Sequence, residues 1–203
     1  MTNKIVPGQR GRPRSFDEAE VLRRAQKVFL EQGFEATSYE DIALAMGLSK
    51  PSLYNTFGDK TALFERSITD YVDHAREQIM ASFTTAPDLA EAAKQMLLAA
   101  ADVYAEPDKP STGCLLVGTA LPGCAQNEQL RNALSGFIAS LDADLEKLIA
   151  ERFGADVRAL GKTARELSLL ISGLLFSLAV RARTGVTRRK LRKAALELAV
   201  ILT

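Results

Sequence analysis

At 203 residues, 47% hydrophobic and 25% charged, with a formal net charge of +1, the chain can bury a full core and has an ordinary globular composition. Net charge points to no partner, and two cysteines do not make a disulfide framework. The N-terminus lacks the apolar stretch of a secretory leader, and the longest apolar run, Leu167 to Val180, is too short to span a bilayer, so a cytoplasmic protein without a membrane segment is expected.

The distribution of charge says more than its sum. Residues 1 to 14 hold Lys4, Arg10, Arg12 and Arg14 and no acid, which reads as a basic arm ahead of the first folded element. Helical periodicity then dominates and strand-like alternation is nearly absent, so the fold class is all-α. Leu22, Ala25 and Phe29 set the buried stripe of a first helix, with Val21 and Val28 in support. Ser15 with Glu18 offers a capping box at its start, and Gly33 a stop. Thr37 and Glu40 repeat the start signal for a short helix through Ile42, Ala43 and Ala45 that ends at Gly47. Ser49 is placed to cap a third helix whose first turn accommodates Pro51, because a proline there costs no intrahelical bond.

A helix followed by two short helices around a glycine turn supplies the parts of a helix-turn-helix DNA reader. Asp59 then opens a long helix carrying Phe64, Ile68, Tyr71, Ala75, Ile79 and Phe83 and closing near Pro87. Beyond it the pattern predicts helices over 88–105, 114–121, 127–153, 163–184 and 188–202, broken by Pro107, Pro110, Pro122 and Gly185. The organisation expected is a flexible arm (1–14), a helix-turn-helix domain (15–62) and a larger helical domain (63–203), with no linker between the last two. A basic run, Arg181, Arg183, Arg188, Arg189, Lys190, Arg192 and Lys193, reads as a solvated helix face.

In the third helix Leu53 and Phe57 are i, i+4 and face inward, which leaves Lys50, Ser52, Tyr54, Asn55 and Thr56 for DNA. Lys50 and Lys60 suit phosphates; the hydroxyls and the amide suit phosphates or base edges. The plainer reading is that Tyr54 packs the small domain and Asn55 caps a turn. Arg10 to Arg14, RGRPR, has the form of an arginine arm for a narrow A·T minor groove, against the alternative of a solubilising tail.

The segment from Ser38 to Phe64, SYEDIALAMGLSKPSLYNTFGDKTALF, resembles the DNA-binding domain of the TetR family in spacing and in residue type. Leu48 stands where the family usually has Val, and Thr56 where it often has His. The resemblance implies about nine helices and a dimeric regulator, usually a repressor, whose C-terminal domain binds a small effector and pivots the DNA-binding domains through the fourth helix. It nominates Ser38, Tyr39, Lys50, Ser52, Tyr54, Asn55, Thr56 and Lys60 as DNA contacts, beside Arg12 and Arg14 of the arm. It also implies a homodimer through the last two helices. Residues 113–120, GCLLVGTA, are similar to a stretch seen in one subgroup of the family.

Medium-sized apolar residues between the long helix and the expected interface form the effector-pocket candidates: Phe83, Met96, Tyr104, Cys114, Phe137 and Phe176. Cys114 at a helix start also suggests a redox or electrophile sensor, since orphan amides favour thiolate; Cys124 would be the resolving partner. The alternative is an inert core cysteine. His74 with Asp70 and Asp73 is better read as a solvated face than as a metal site, and no cofactor is expected. Catalysis is disfavoured, because there is no P-loop, no dinucleotide fingerprint and no nucleophile triad. An architectural DNA protein without a ligand is the remaining rival, and the large apolar C-terminal domain speaks against it.

Overall fold

Helix caps decide where the elements of this chain begin, and a computed structural model describes them over residues 16–105 and 113–202. Arg12 and Arg14 lie outside the described residues. Asp17, not Ser15, caps α1 (Glu18–Gln32), its carboxylate accepting from the Ala19 amide. The start of α2 (Tyr39–Met46) also lies one residue later than expected: Ser38 and Asp41 form the reciprocal capping box. The Thr37 hydroxyl is spent instead on the Gly33 carbonyl at 2.6 Å, so it is not available to the helix. Ser49 caps α3 (Lys50–Phe57) and Asp59 caps α4 (Lys60–Thr85), both as expected. Gly47 between α2 and α3 has φ +66°, a left-handed turn that only glycine adopts without strain.

The remaining helices are α5 (Leu89–Val103), α6 (Leu121–Gly123), α7 (Glu128–Arg152), α8 (Gly154–Ala159), α9 (Ala164–Arg183) and α10 (Arg188–Ala199). The short α8 makes ten among the described residues rather than about nine, and no strand occurs among them. Ahead of α6 the chain does not form the ordinary helix expected over 114–121. Leu116–Ala120 is a widened π-helical turn. Pro122 has no N–H to give, and the Thr119 hydroxyl takes the Leu115 carbonyl at 2.5 Å, so the regular ladder is interrupted from both sides. Gly113 just before it has φ +83°, and a Cβ there would lie 2.9 Å from the Ala179 carbonyl of α9.

α4 packs against α1 on one side and α5 on the other; α10 covers α5, and α7 lies on α9. One continuous core runs through all of them. Phe29 of α1, Phe34 of the loop that follows it and Phe64 of α4 form its N-terminal end, with centroid distances of 4.8 Å (Phe29 to Phe64) and 4.7 Å (Phe34 to Phe64). Such pairs add about 0.5–1.5 kcal/mol each beyond their area. On α2 the buried set is Ile42, Ala43 and Met46, while Ala45 is exposed.

The basic run near the C-terminus is not simply solvated. Arg188 and Arg192 both grip Asp102 of α5, the first at 2.7 Å, and Arg183 donates to the Leu30 carbonyl of α1 at 2.6 Å. Burial alone would raise the Asp102 pKa; hydrogen bonds and charge from Arg188 and Arg192 outweigh it and hold the carboxyl below its ordinary value.

Candidate functional site

Leu53 and Phe57 bury the inner face of α3, and this anchoring turns Lys50, Ser52, Tyr54 and Asn55 outward. Tyr54 is 60% exposed, and neither its hydroxyl nor the Asn55 amide bonds to another described residue. Polar groups left unspent on a rigidly backed helix are the equipment of a groove reader. Lys50 pairs with Glu40 across the two short helices; both are exposed, so the pair is worth about 0–1 kcal/mol and exchanges readily for a phosphate. The Ser52 hydroxyl interacts with Ser49 at 2.9 Å, and the half-buried Thr56 gives its hydroxyl to the Ser52 carbonyl at 3.0 Å. Ser38 sits at the N-terminus of α2 as its cap.

Two nominated residues are placed differently from the expectation. The Lys60 ammonium is turned inward, donating to the Phe34 and Thr37 carbonyls, each at 3.1 Å, and lying 4.3 Å from the Phe34 ring centre. It braces the α1–α2 loop and in this geometry is not presented to a phosphate. Tyr39 donates its hydroxyl to the Gly58 carbonyl at 2.7 Å and meets Tyr54 edge to face. Burial, with Asp59 and Tyr54 beside it, pushes the Tyr39 pKa up to about 12. It remains neutral and fixes the loop behind the reading face.

A cavity of about 570 Å³ lies between α4, α7 and the opening of the π-helical turn. Ile68, Tyr71, Val72, Ala75, Ile79 and Met80 of α4 line one side; Phe137 and Leu141 of α7, with Leu175 of α9, line the other. Of the six pocket candidates, Tyr104, Cys114 and Phe137 line this space. Phe83 and Met96 do not: both are wholly buried in filled core, Phe83 edge-on to Phe153 at 5.8 Å. Phe176 is half-buried and outside the lining. Size and apolarity alone do not separate a wall from a plug.

Cys114 also departs from the sensor expectation. Burial drives its pKa up, and although the Val117 and Leu116 amides and the Tyr71 hydroxyl pull the other way, burial prevails. A buried neutral thiol is a poor nucleophile, so the premise of an activated thiolate fails. Cys124 donates to the Ala120 carbonyl at 3.1 Å, and both cysteines are free. His74 interacts with the Asp70 carbonyl at 2.7 Å, and no group of three metal-ligating side chains occurs among the described residues.

Residues 21–66 match the family model for bacterial regulatory proteins of the tetR family. The HTH-type transcriptional repressor ComR of Escherichia coli is 25% identical over 195 residues, covering 96% of this chain and 92% of ComR. The repressor BdcR of the same organism is 39% identical over 62 residues, 30% of this chain and 32% of BdcR. Among solved structures, a cysteine mutant of the TetR family regulator CifR complexed with double-strand operator DNA superposes with a TM-score of 0.82 at 28% identity, covering 93% of this chain and 98% of that one. The chain belongs to the TetR family of transcriptional regulators.

Within this TetR-family chain, the side chains that sequence reasoning passed over are those that join the elements. Arg66 of α4 donates to the Thr56 carbonyl at the end of α3 and to Glu18 of α1, both at 3.0 Å, with Phe57 beneath its guanidinium. Gln26 of α1 donates to Asp70 and to the Ser67 carbonyl of α4. Apart from Thr56, these partners lie 41 to 48 residues away and leave no periodic signal, so only the fold brings them together. No helix of the described residues is long and apolar enough to cross a membrane.

Proposed function

We propose that this regulator binds a near-palindromic operator as a homodimer and is released from it by a small molecule that enters the cavity beside α4. The exposed face of α3 carries the reading: Lys50, Ser52, Tyr54 and Asn55 point outward from a helix anchored by Leu53 and Phe57. Ser38 and Thr56 flank that face, while Tyr39 and Lys60 hold it in place. Arg12 and Arg14 would enter the adjoining minor groove. Residues 15–62 form the reading unit and 63–203 the sensing and pairing unit. The operator complex of CifR and the repressor role of ComR and BdcR support this reading.

Pairing is argued from α9 and α10. Leu169, Leu170 and Val180 of α9 and Leu196, Val200 and Ile201 at the C-terminal end are 37% to 67% exposed. Six large apolar side chains on two neighbouring helices and the turn that ends the second are what an obligate interface leaves bare in a single copy. In the dimer the two α3 helices would lie about 34–36 Å apart, one turn of DNA, or a multiple of it.

Binding sites selected from random duplexes provide the test, read by fluorescence anisotropy. Tyr54→Ala is expected to weaken the selected site by about 1–3 kcal/mol with unchanged thermal stability and oligomeric state. Wild-type affinity in that variant, or a selected pool without dyad symmetry, would overturn the proposal.

A further inference from the structure

We propose that the cavity beside α4 takes an uncharged, largely apolar molecule that presents one hydrogen-bond acceptor to the Tyr71 hydroxyl. The inference rests on the cavity's being the effector site, and it names the chemistry of the occupant.

The polar inventory of the walls carries the argument. Ile79, Met80, Phe137 and Leu141 give the space an apolar body. The one cation among its lining residues, Arg76, is already paired with Asp144 and lies 3.4 Å from the Ser140 hydroxyl. Glu65 and Asp73 share the lining, so a carboxylate or phosphate would meet like charge and would have to displace Asp144 from Arg76. An anion would give up its hydration for neutral donors such as Gln129 and Asn132, which is less favourable for a charged group than for a neutral one.

Polar residues elsewhere in the lining, such as Asp73, Gln129 and Asn132, are exposed, whereas the Tyr71 hydroxyl is buried. It makes no hydrogen bond of good geometry, although the Cys114 thiol and the Leu115 amide are both close enough to interact with it. Leaving such a group unpaired costs about 1–3 kcal/mol, a penalty that an acceptor on the ligand would remove. Burial holds the Tyr71 pKa well above its ordinary value, so the group keeps its proton and serves as a donor. A carbonyl or ether oxygen fits this demand.

The same side chain is well placed to report occupancy. Tyr71 also borders a smaller hollow of about 350 Å³, where Arg23 and Gln26 of α1 meet Asp70 and His74 of α4. A ligand that draws the Tyr71 ring therefore acts on the contact between α4 and the DNA-reading helices.

Three isosteric probes test the proposal by isothermal titration of the full-length protein: acetylnaphthalene, neutral with one carbonyl; naphthoate, its anionic counterpart; and isopropenylnaphthalene, neutral without an acceptor. Acetylnaphthalene is expected to bind about five- to tenfold more tightly than isopropenylnaphthalene, the worth of one hydrogen bond, and naphthoate more weakly than either. Tyr71→Phe should erase the preference for the carbonyl and leave isopropenylnaphthalene unchanged. Ala75→Phe, which puts a ring into the cavity, should abolish binding of all three. Naphthoate binding tightest, or a carbonyl preference that survives Tyr71→Phe, overturns the ligand class while leaving the effector site standing. Binding that is indifferent to Ala75→Phe, or no binding by any probe, overturns the effector site as well.

Discussion

The N-terminal three helices with the first two turns of α4, and the region between α4 and α7, spend their side chains in opposite ways. In the first, Phe29, Phe64, Leu53 and Phe57 fill the interior, and Lys60, Arg66 and Tyr39 are committed to backbone carbonyls around it. Unspent polar groups are found on the outward face of α3. In the second, a space of about 570 Å³ remains, and Tyr71, which lines it, carries a buried hydroxyl without a hydrogen bond of good geometry. A reader of DNA gains from rigidity behind its contact surface, whereas a sensor must keep a vacancy and a polar group in reserve for its ligand.

The widest separation between the two regions is expected from packing. Leu53→Ala should cost about 2–5 kcal/mol, since the site is fully buried and the surrounding helices are short. Ala75→Phe fills existing space and should change stability by less than about 1 kcal/mol. Chemical denaturation of both variants measures the contrast, and equal destabilisation would mean that the cavity is as tightly packed as the N-terminal core.

A smaller effect is expected where the two regions are tied. Arg183 reaches from the last turn of α9 to the Leu30 carbonyl of α1, and its guanidinium would lie 3.5 Å from a Cβ on Gly118 in the π-helical turn. Arg183→Gln should leave operator affinity nearly unchanged and reduce the ligand-induced loss of affinity by about 0.5–2 kcal/mol. Anisotropy titrations with and without acetylnaphthalene separate the two quantities. An unaltered ligand response would show that the regions communicate through α4 alone.

The least effect belongs to Asp102, which is partly exposed and joins α5 to α10. Its carboxyl titrates below the ordinary value of about 3.9, so it stabilises the folded state above about pH 4, and that contribution is lost as pH falls through the native pKa. Asp102→Asn is expected to cost no more than about 1 kcal/mol at pH 7 and progressively less as the pH falls below about 4, as read by urea midpoints across that range. A difference that persists in acid would assign the effect to packing rather than charge.

The reading helix was legible because its signals are local. Ser49, Pro51, Leu53 and Phe57 lie within nine residues and announce cap, first turn and buried face by spacing alone. Where two caps competed locally, the spacing was insufficient: Thr37 and Ser38 both suit a cap, and the Gly33 carbonyl claimed the first. The pocket was legible only in part. Tyr104, Cys114 and Phe137 face the space and Phe83, Met96 and Phe176 do not, though all six have the same apolar character. The helix-start argument for Cys114 identified real amides but omitted the burial that outweighs them.

By itself the sequence determined the all-helical class, the helix-turn-helix and the TetR resemblance, because periodicity, caps and a spaced motif act over a few residues at a time. The tertiary structure alone decided that Lys60 faces inward, that three arginines of an apparently solvated run tie α9 and α10 to α1 and α5, and that Tyr71 is left facing a cavity. Those outcomes depend on which side chains from distant parts of the chain compete for the same carbonyl, carboxylate or space, and that competition exists only once the helices have packed.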